Sequence, residues 1–240
     1  MSQNYPSLFK KYIKHSNEKE SALNTIFQFI SNYPQESLIL DVGCGTGEIS
    51  HALAQKGHKI FAIDQQDYFQ RDPRIQFQKT NVFDFKTNEK FDLIIAAYLF
   101  WEIPFERWEE LMNLLLNLLK TDGKLLVIDS VNTSPYDNPF FSCNIFSDRS
   151  EKENRDLNNY WFDFLKKNNC NFKSNKIKSQ VQTKSKEEML NVLEFFFFDE
   201  NSQNLFKNQK KYLLEKMRNK KDSNLTIIEL EHSMEIINPK

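Results

Sequence analysis

Cysteine, histidine and glycine are all scarce in this chain of 240 residues, and the first two scarcities exclude common kinds of site. The three cysteines are odd in number, widely spaced and include no CxxC pair. This pattern argues against a disulfide framework and a structural zinc site, and it is typical of a reducing compartment. The four histidines include no HExxH motif and no close grouping with cysteine, so we expect no bound metal.

Net charge and long apolar runs are also lacking. The chain has 32 basic and 33 acidic residues, a balance that gives no overall field to attract nucleic acid or an anionic membrane. Its first residues lack the continuous apolar segment of a secretory signal, and its longest apolar run, residues 93–101, is too short to span a bilayer. We therefore expect a cytoplasmic protein with neither nucleic-acid nor membrane partners. Its oligomeric state stays open.

The first half of the chain alternates regularly between helices and short apolar strands. Apolar spacing predicts helices over residues 7–33, 46–56 and 105–119, the second with Thr46 as its N-cap and Gly57 as its stop. The predicted strands cover residues 38–42, 59–63, 75–79, 91–98 and 125–129. This alternation predicts an α/β fold with a parallel sheet wound with helices on both faces.

The pattern changes after Ser130. A loop with two prolines is predicted first, in the stretch "NTSPYDNPFFS". The segments predicted beyond it are helices over residues 154–167, 186–198 and 205–218 and strands over residues 172–183 and 225–237. Because no repeat and no disordered linker separates the two halves, we expect the second half to dock on the first.

Three of the five glycines fall within five positions, in the stretch "LILDVGCGTGEIS" between a predicted strand and a predicted helix. In such a cofactor-binding turn, Gly43 permits the tight bend, Gly45 lets a ligand approach the backbone, and Gly47 lets the helix pack closely on the strand. A dinucleotide fingerprint would need a third glycine where Glu48 stands, and that acid would repel a pyrophosphate. An NAD-linked oxidoreductase is therefore disfavoured.

With Asp41 two residues before the first glycine, this spacing resembles motif I of the class I S-adenosylmethionine-dependent methyltransferases. The resemblance covers about residues 36–130. It implies a Rossmann-like, doubly wound, seven-stranded and mostly parallel sheet whose last strand is antiparallel, with S-adenosylmethionine as cofactor and S-adenosylhomocysteine as product. On this basis we expect one domain, with an N-terminal helical cap (1–34), a cofactor-binding core (35–130) and a part with lid helices and the last two strands (131–240).

The resemblance also implies roles for single residues around the cofactor. Asp41 suits the ammonium of the methionine moiety, and Asp64, at the end of the second predicted strand, suits the ribose hydroxyls. The stretch "KTNVFDF" resembles the adenine-binding segment, which implies that Asn81 and Val82 bind adenine, with Asp84 as a second candidate if the register differs.

The stretch "FDLIIAAYLFWEIP" resembles the fourth-strand motif, whose end lies beside the methyl group and the acceptor. This places Tyr98 at the methyl donor and makes Trp101 and Glu102 candidate catalytic residues, Trp101 offering a flat face to a cation or ring. An alternative is that Trp101 packs in the core and Glu102 caps the next helix.

The stretch "LFKKYIKHSNEKES" resembles the N-terminal region of histamine N-methyltransferase. That resemblance implies that Glu18 contacts an amine or imidazole-like small molecule. A departure is that the glutamine of that family at the end of the fourth strand aligns with Tyr98 here. Methylation of oxygen, carbon or a peptide or protein side chain remains an alternative, as does a non-catalytic binding protein that keeps the fold.

Overall fold

The computed structural model describes residues 5–129, 163–194, 214, 218–219 and 225–238. The chain forms two compact units. The first unit comprises Met1–Asn24, Val131–Asn158 and Ile177–His232, and the second comprises Thr25–Ser130, Asn159–Lys176 and Ser233–Lys240. The expected single domain with cap, core and lid stays a prediction. The loop predicted after Ser130 lies outside the described residues, as do most of the helices predicted over residues 154–167 and 205–218 and the end of the one predicted over residues 186–198.

The helices and strands follow the predicted order closely. The strands are β1 (Leu38–Val42), β2 (Lys59–Asp64), β3 (Ile75–Lys79), β4 (Phe91–Ala97), β5 (Leu119–Asp129), β6 (Asn171–Thr183), β7 (Arg218–Asn219) and β8 (Thr226–Asn238). The α-helices are α1 (Tyr5–His15), α2 (Glu18–Ile30), α3 (Glu48–Gln55), α4 (Trp108–Asn117) and α5 (Lys186–Leu193), with 3-10 turns at Val82–Asp84, Phe100–Glu102 and Phe105–Arg107. Residues 163–167 are also helical.

The strands form a sheet in the order β3-β2-β1-β4-β5-β8-β6, with the two-residue β7 paired to β8. Neighbouring strands from β3 to β5 are parallel, and β8 runs antiparallel to β5. This confirms the predicted α/β fold, with its mostly parallel sheet and antiparallel last strand.

The central strands β1 and β4 are deeply buried, and Ile39, Leu40, Leu93 and Ile94 have no exposed surface. Strands covered on both faces are apolar throughout, which is why neither strand shows the alternation of a half-exposed strand. The strand order reverses between β1 and β4. In open α/β sheets, ligands bind beyond the carboxyl ends of the strands at this point, so the fold locates the site to inspect.

The helix predicted over residues 7–33 is in fact two helices, α1 and α2, separated at Ser16 and Asn17. The backbone N–H of Asn17 donates to the carbonyl of Gln180 at 3.1 Å, and its Oδ1 accepts from the N–H of Gln180 at 2.7 Å. The hydroxyl of Ser16 accepts from the N–H of Glu18 at 3.1 Å and caps α2. The break is caused by a partner more than 160 positions away, which apolar spacing does not reveal.

Helix α3 begins later than predicted, and its N-cap is Gly47 rather than Thr46. The Thr46 hydroxyl is instead bonded to the carboxylate of Glu48, at 2.6 Å. The predicted stop is confirmed, since Gly57 has a left-handed φ of 89° and its N–H donates to Ala54 at 3.0 Å.

Helix α4 is shorter than predicted, and strand β5 is longer. The stretch "TDGK", which separates the predicted helix from the predicted strand over residues 125–129, lies inside β5. The pairing of β5 with β4 shifts register between Phe91 and Leu93. Gly123 lies so close to β4 that an added Cβ would sit 2.7 Å from the carbonyl oxygen of Phe91. The glycine therefore serves close strand packing rather than a free turn.

Candidate functional site

The loop between β1 and α3 holds its three glycines at left-handed backbone angles. The φ values are 72° at Gly43, 55° at Gly45 and 91° at Gly47. Residues with side chains rarely adopt such angles, which accounts for glycine at all three positions. The N–H groups of Gly43 and Cys44 both donate to the carbonyl of Ile63, at 2.9 and 3.1 Å, so the loop is anchored on β2.

The last two glycines of this loop have contrasting surroundings. A Cβ added to Gly45 would meet no atom within 4 Å, so a ligand can approach its backbone from that side. A Cβ added to Gly47 would lie 2.5 Å from the ring of Phe69 and 2.9 Å from Cε1 of His51. The close approach at Gly47 is thus made by two rings and not, as predicted, by a strand.

Asp41 lies in β1 directly before the loop and is only 2% exposed. Its Oδ2 accepts a hydrogen bond from the hydroxyl of Ser50 at 2.6 Å. Burial raises the pKa of Asp41 to about 6; the bonds from Ser50 lower it, and the charges of Asp64 and Glu48 raise it further. Asp41 therefore ionises only near neutral pH, in a place where an approaching cation would favour its charged form.

Asp64 ends β2 and reaches the glycine loop. Its Oδ2 accepts from the N–H of Gly45 at 2.9 Å, and its Oδ1 accepts from the N–H of Gln66 at 2.8 Å. The carboxylate predicted for the ribose is thus bonded to the loop glycine whose other side is open. The ribose contact itself stays a prediction.

The carboxylates around this loop act on one another. The charge of Asp64 raises the pKa of both Asp41 and Glu102, although burial is the larger cause at each. Within the described part of the chain, Asp41, Asp64 and Glu102 form no ion pair. A partly desolvated group of acids without a cation favours a positively charged ligand. The open backbone at Gly45 and this negative charge fit S-adenosylmethionine, which carries an ammonium and a sulfonium.

Asn81 follows β3 and is the N-cap of the 3-10 turn Val82–Asp84. Its Oδ1 accepts from the N–H of Phe83 at 3.1 Å, while the neighbouring Thr80 N–H donates to the carbonyl of Asp64 at 2.8 Å. Val82 is buried. The predicted adenine segment is therefore tied to the end of β2, and its adenine contacts stay a prediction.

Tyr98 directly follows β4, so the strand ends one residue earlier than predicted. It has a left-handed φ of 57°, and its N–H donates to Ile128 at 2.7 Å. A residue with a side chain held at such an angle costs about 1 kcal/mol or more and is often found at functional sites. This conformation turns the chain at the carboxyl end of β4, where the methyl group was predicted to lie.

Trp101 and Glu102 lie in the 3-10 turn Phe100–Glu102 that follows Tyr98. The side chain of Trp101 lies outside what the structure describes, so the choice between site and core stays open. Glu102 does not cap α4, because the N-cap of that helix is Arg107, which makes no side-chain cap. Partial burial raises the pKa of Glu102, and the charge of Asp64 raises it further.

Glu18 belongs to the first unit, and the other predicted site residues belong to the second. The hydroxyl of the buried Tyr12 donates to the carboxylate of Glu18. Burial raises the pKa of Tyr12 well above its usual value, and the charge of Glu18 raises it further. Glu18 is therefore a carboxylate whose orientation is held by a buried phenol.

Sequence reasoning missed Ser50, His51 and Phe69 around the loop. Ser50 interrupts the apolar buried face of α3, a signal that could have revealed its bond to Asp41. Phe69 is a buried aromatic in an otherwise polar connection, but no spacing rule indicates that it packs on Gly47.

Comparison with known proteins identifies the family. A family model described as a methyltransferase domain matches residues 13–183. The chain belongs to this family. Two relatives, each named only as an uncharacterised methyltransferase, come from Staphylococcus carnosus (28% identical over 100 residues, 40% of this chain and 48% of the relative) and Alkaliphilus oremlandii (24% over 132 residues, 53% and 57%).

A third relative of this methyltransferase-family chain is the ubiquinone biosynthesis O-methyltransferase of Haemophilus ducreyi, which is 30% identical over 109 residues. That match covers 39% of this chain and 45% of the relative. The chain spans about half the length of the curated relatives it matches. The relatives do not bear on the resemblance to histamine N-methyltransferase, which stays a prediction.

Solved structures show the same fold. The N-methyltransferase NodS of Bradyrhizobium japonicum, in complex with S-adenosylhomocysteine, has a TM-score of 0.55 at 13% identity and is matched over the whole of both chains. The plantazolicin methyltransferase BpumL, in complex with S-adenosylhomocysteine and a pentazolic desmethylPZN analogue, has a TM-score of 0.53 at 14% identity over 98% of this chain and 94% of that one. The Rossmann-like methyltransferase fold is confirmed. Among the described residues, no helix is long and apolar enough to cross a membrane.

Proposed function

We propose that this chain is an S-adenosylmethionine-dependent methyltransferase that acts on a small molecule and releases S-adenosylhomocysteine. The observation that carries the proposal is the glycine loop, whose open backbone at Gly45 lies beside the carboxylate of Asp64 and follows the buried Asp41, neither of which has a cationic partner among the described residues. The family match over residues 13–183 agrees with it.

The glycine loop and the residues at the carboxyl ends of β2, β3 and β4 would each hold one part of the cofactor. The loop backbone with Asp41 would hold the methionine end, Asp64 the ribose, and Asn81 with Val82 the adenine, while Tyr98 would lie beside the methyl group. When bound, S-adenosylmethionine supplies a methyl group activated by its positive sulfur. The acids raise affinity for this cation and so favour the methyl donor over its neutral thioether product.

The acceptor chemistry would fall to the residues after β4. Burial and the charge of Asp64 raise the pKa of Glu102, which makes its carboxylate a better base than an ordinary surface glutamate. Glu102 would orient the acceptor and take its proton, and Trp101 would present a flat face to it.

For the acceptor itself we propose an amine or imidazole-like nitrogen. The support is Glu18, which the resemblance associates with such substrates and which the structure shows held by the buried Tyr12. NodS is described as an N-methyltransferase. A second candidate is an oxygen acceptor, favoured by the relative from Haemophilus ducreyi, which is named for ubiquinone biosynthesis and O-methylation.

A donor-coupled screen of amines, imidazoles and phenols on purified protein tests the acceptor class. For an amine or imidazole acceptor that pairs with Glu18, we expect Glu18→Gln to lower kcat/KM by the equivalent of about 2 kcal/mol, because the acceptor loses its charge partner. Glu20→Gln, an exposed acid two residues further on, is the matched control and should leave turnover unchanged. Turnover of phenols alone, unaffected by Glu18→Gln, would favour the oxygen acceptor and contradict the assignment to nitrogen. A protein that binds the cofactor but turns over no acceptor would support a non-catalytic role.

A further inference from the structure

His51 lies in the first turn of α3 and has a carbonyl oxygen at each of its ring nitrogens. Nδ1 contacts the carbonyl of Gly47, the last glycine of the loop. Nε2 lies 2.9 Å from the carbonyl of Gln70, in the connection between β2 and β3. The ring therefore bridges the glycine loop and the connection that follows Asp64.

The two carbonyl contacts fit only one protonation state of the His51 ring. A neutral imidazole carries a single N–H, and its other nitrogen is an acceptor. A backbone carbonyl is also an acceptor, so a neutral His51 would bond to one carbonyl and repel the other. Only the doubly protonated ring can donate to both Gly47 and Gln70.

The contacts of the ring hold it in place. Phe69 is 5% exposed and stacks on His51, with ring centroids 5.1 Å apart and planes inclined by 15°. Phe77 stacks in turn on Phe69 at 4.7 Å. Phe69 and His51 also fill the space beside Gly47, and the N–H of Gln70 donates to the carbonyl of Thr46 at 3.4 Å. Backbone bonds hold the same point: the N–H of His51 donates to the carbonyl of Gly47 at 2.8 Å, and the N–H of Gly47 donates to the carbonyl of Cys44 at 2.9 Å. The two rings therefore add to a backbone frame and fix the side of the loop that faces the connection after β2.

The charges around His51 have both signs. Asp72 favours a cation, and its own pKa is lowered to about 2, mainly by Arg74 and with a contribution from His51. Glu48 precedes His51 by three positions in α3 and also favours a cation. Arg71, Arg74 and the positive end of the α3 dipole oppose it. Neither set of charges decides the protonation state alone, whereas the two carbonyl contacts require two donors.

We propose that His51 is a positioning residue for the cofactor loop, and that its doubly protonated ring holds the carbonyl of Gly47 in the binding geometry. The proposal rests on the proposed function, because its consequence is read out through the cofactor. Where the ring carries only one proton, one of the two bonds becomes a repulsion and the end of the loop is held less firmly. The contribution of His51 to cofactor affinity is then present where the ring carries both protons and is lost where it carries one.

Calorimetry with S-adenosylhomocysteine across a range of pH tests this coupling on the full chain. We expect the affinity of the native protein to fall about tenfold on the alkaline side, which corresponds to about 1.4 kcal/mol. His51→Gln should bind with the weaker affinity already at low pH and lose this fall. His58→Gln is the matched control, since His58 is a half-buried histidine of the same unit that does not touch the loop, and it should keep the fall. The amine of the ligand titrates alike with all three proteins, so the difference between the profiles isolates His51.

Nitrogen NMR of the histidine rings supplies a readout that does not depend on a variant. We expect both ring nitrogens of His51 to be protonated in the pH range where binding is tightest, and the ligand to favour the doubly protonated ring, as reciprocal linkage requires. A His51 ring with a single proton throughout that range would overturn the proposal, as would an alkaline fall that persists in His51→Gln. A complete absence of binding at every pH would instead overturn the proposed function, while the spectra would still decide between one proton and two.

Discussion

The carboxylates at the two ends of the parallel sheet differ in whether a cationic side chain compensates their charge. At the amino end, Asp92 accepts from the N–H of Leu38 and from the ammonium of Lys120, all at 2.8 Å. A cavity of about 480 Å³ lies there, lined in part by Tyr33, Asp92, Lys120 and Lys124. At the carboxyl end, Asp41, Asp64 and Glu102 have no cationic partner among the described residues.

The difference teaches that charge compensation distinguishes the two ends of the sheet. An ion pair such as that of Asp92 and Lys120 is complete without a ligand. Burying a carboxylate without a partner is unfavourable, as the raised pKa of Asp41 shows, and such an arrangement is typical of a functional site. The left-handed φ of Tyr98, a residue with a side chain, adds backbone cost at the same end.

The largest effect we expect comes from Gly47→Ala. Its Cβ would overlap the ring of Phe69 at a left-handed φ of 91°, so overpacking and backbone strain together should lower the free energy of unfolding by about 3 kcal/mol. Gly57→Ala is the matched control, because Gly57 has a φ of 89° and no atom within 4 Å of an added Cβ. It should cost only about 1 kcal/mol. Equal losses in urea unfolding would show that crowding at the loop is unimportant.

The next effect is a pH dependence that has opposite signs for stability and for binding. Because the folded pKa of Asp41, about 6, lies above its ordinary value, the folded state binds a proton that the unfolded state releases. The contribution of Asp41 to stability, measured as the difference between the native protein and Asp41→Asn, should therefore rise by as much as about 3 kcal/mol as pH falls from 7 towards 4. Affinity for S-adenosylmethionine should fall over the same range, because Asp41 loses its charge.

Asp41→Asn should remove the contributions of this residue to both trends. The measurements are urea unfolding and calorimetry at a series of pH values. If the contributions of Asp41 to stability and to affinity instead rose and fell together with pH, one claim would be contradicted. That claim is that the buried carboxylate of Asp41 lowers stability but strengthens binding.

Removing one charge at each end of the sheet compares the ends directly. Asp64→Asn keeps an acceptor for the N–H of Gly45 but removes the charge, and it should weaken cofactor binding by about 2 kcal/mol. Unfolding stability should change little. Calorimetry and urea unfolding on the same preparation measure both quantities.

Asp92→Asn is expected to give the smallest effect. The lost ion pair with Lys120 is partly exposed, so the free energy of unfolding should fall by less than about 1 kcal/mol, with cofactor affinity unchanged. A loss of affinity here as large as that of Asp64→Asn would remove the distinction between the two ends.

The sequence predicted those parts of the fold and site that depend on local patterns. These parts are the alternation of strands and helices, the glycine loop, and the acids Asp41 and Asp64. Each is indicated by a pattern of a few neighbouring residues, because turn geometry and strand burial depend on the local sequence. The break at Asn17 was missed because its partner is Gln180.

The surroundings of the glycine loop were missed for the same reason. Phe69 packs on Gly47 and His51 bonds to Gln70 only once the connection after β2 folds back over the loop. The extension of β5 likewise depends on the approach of Gly123 to Phe91. Contacts of this kind join segments whose separate patterns are unremarkable.

Calorimetry of S-adenosylmethionine with the native chain, Gly45→Val and Gly57→Val tests the central claim most directly. A Cβ added at either glycine meets no atom within 4 Å, and both glycines have a left-handed φ, so we expect the two variants to fold with a similar backbone penalty. We predict binding to the native chain and to Gly57→Val, and none to folded Gly45→Val, whose side chain would occupy the path of the ligand to the loop. No heat with the native chain, or undiminished binding by Gly45→Val, would contradict the account.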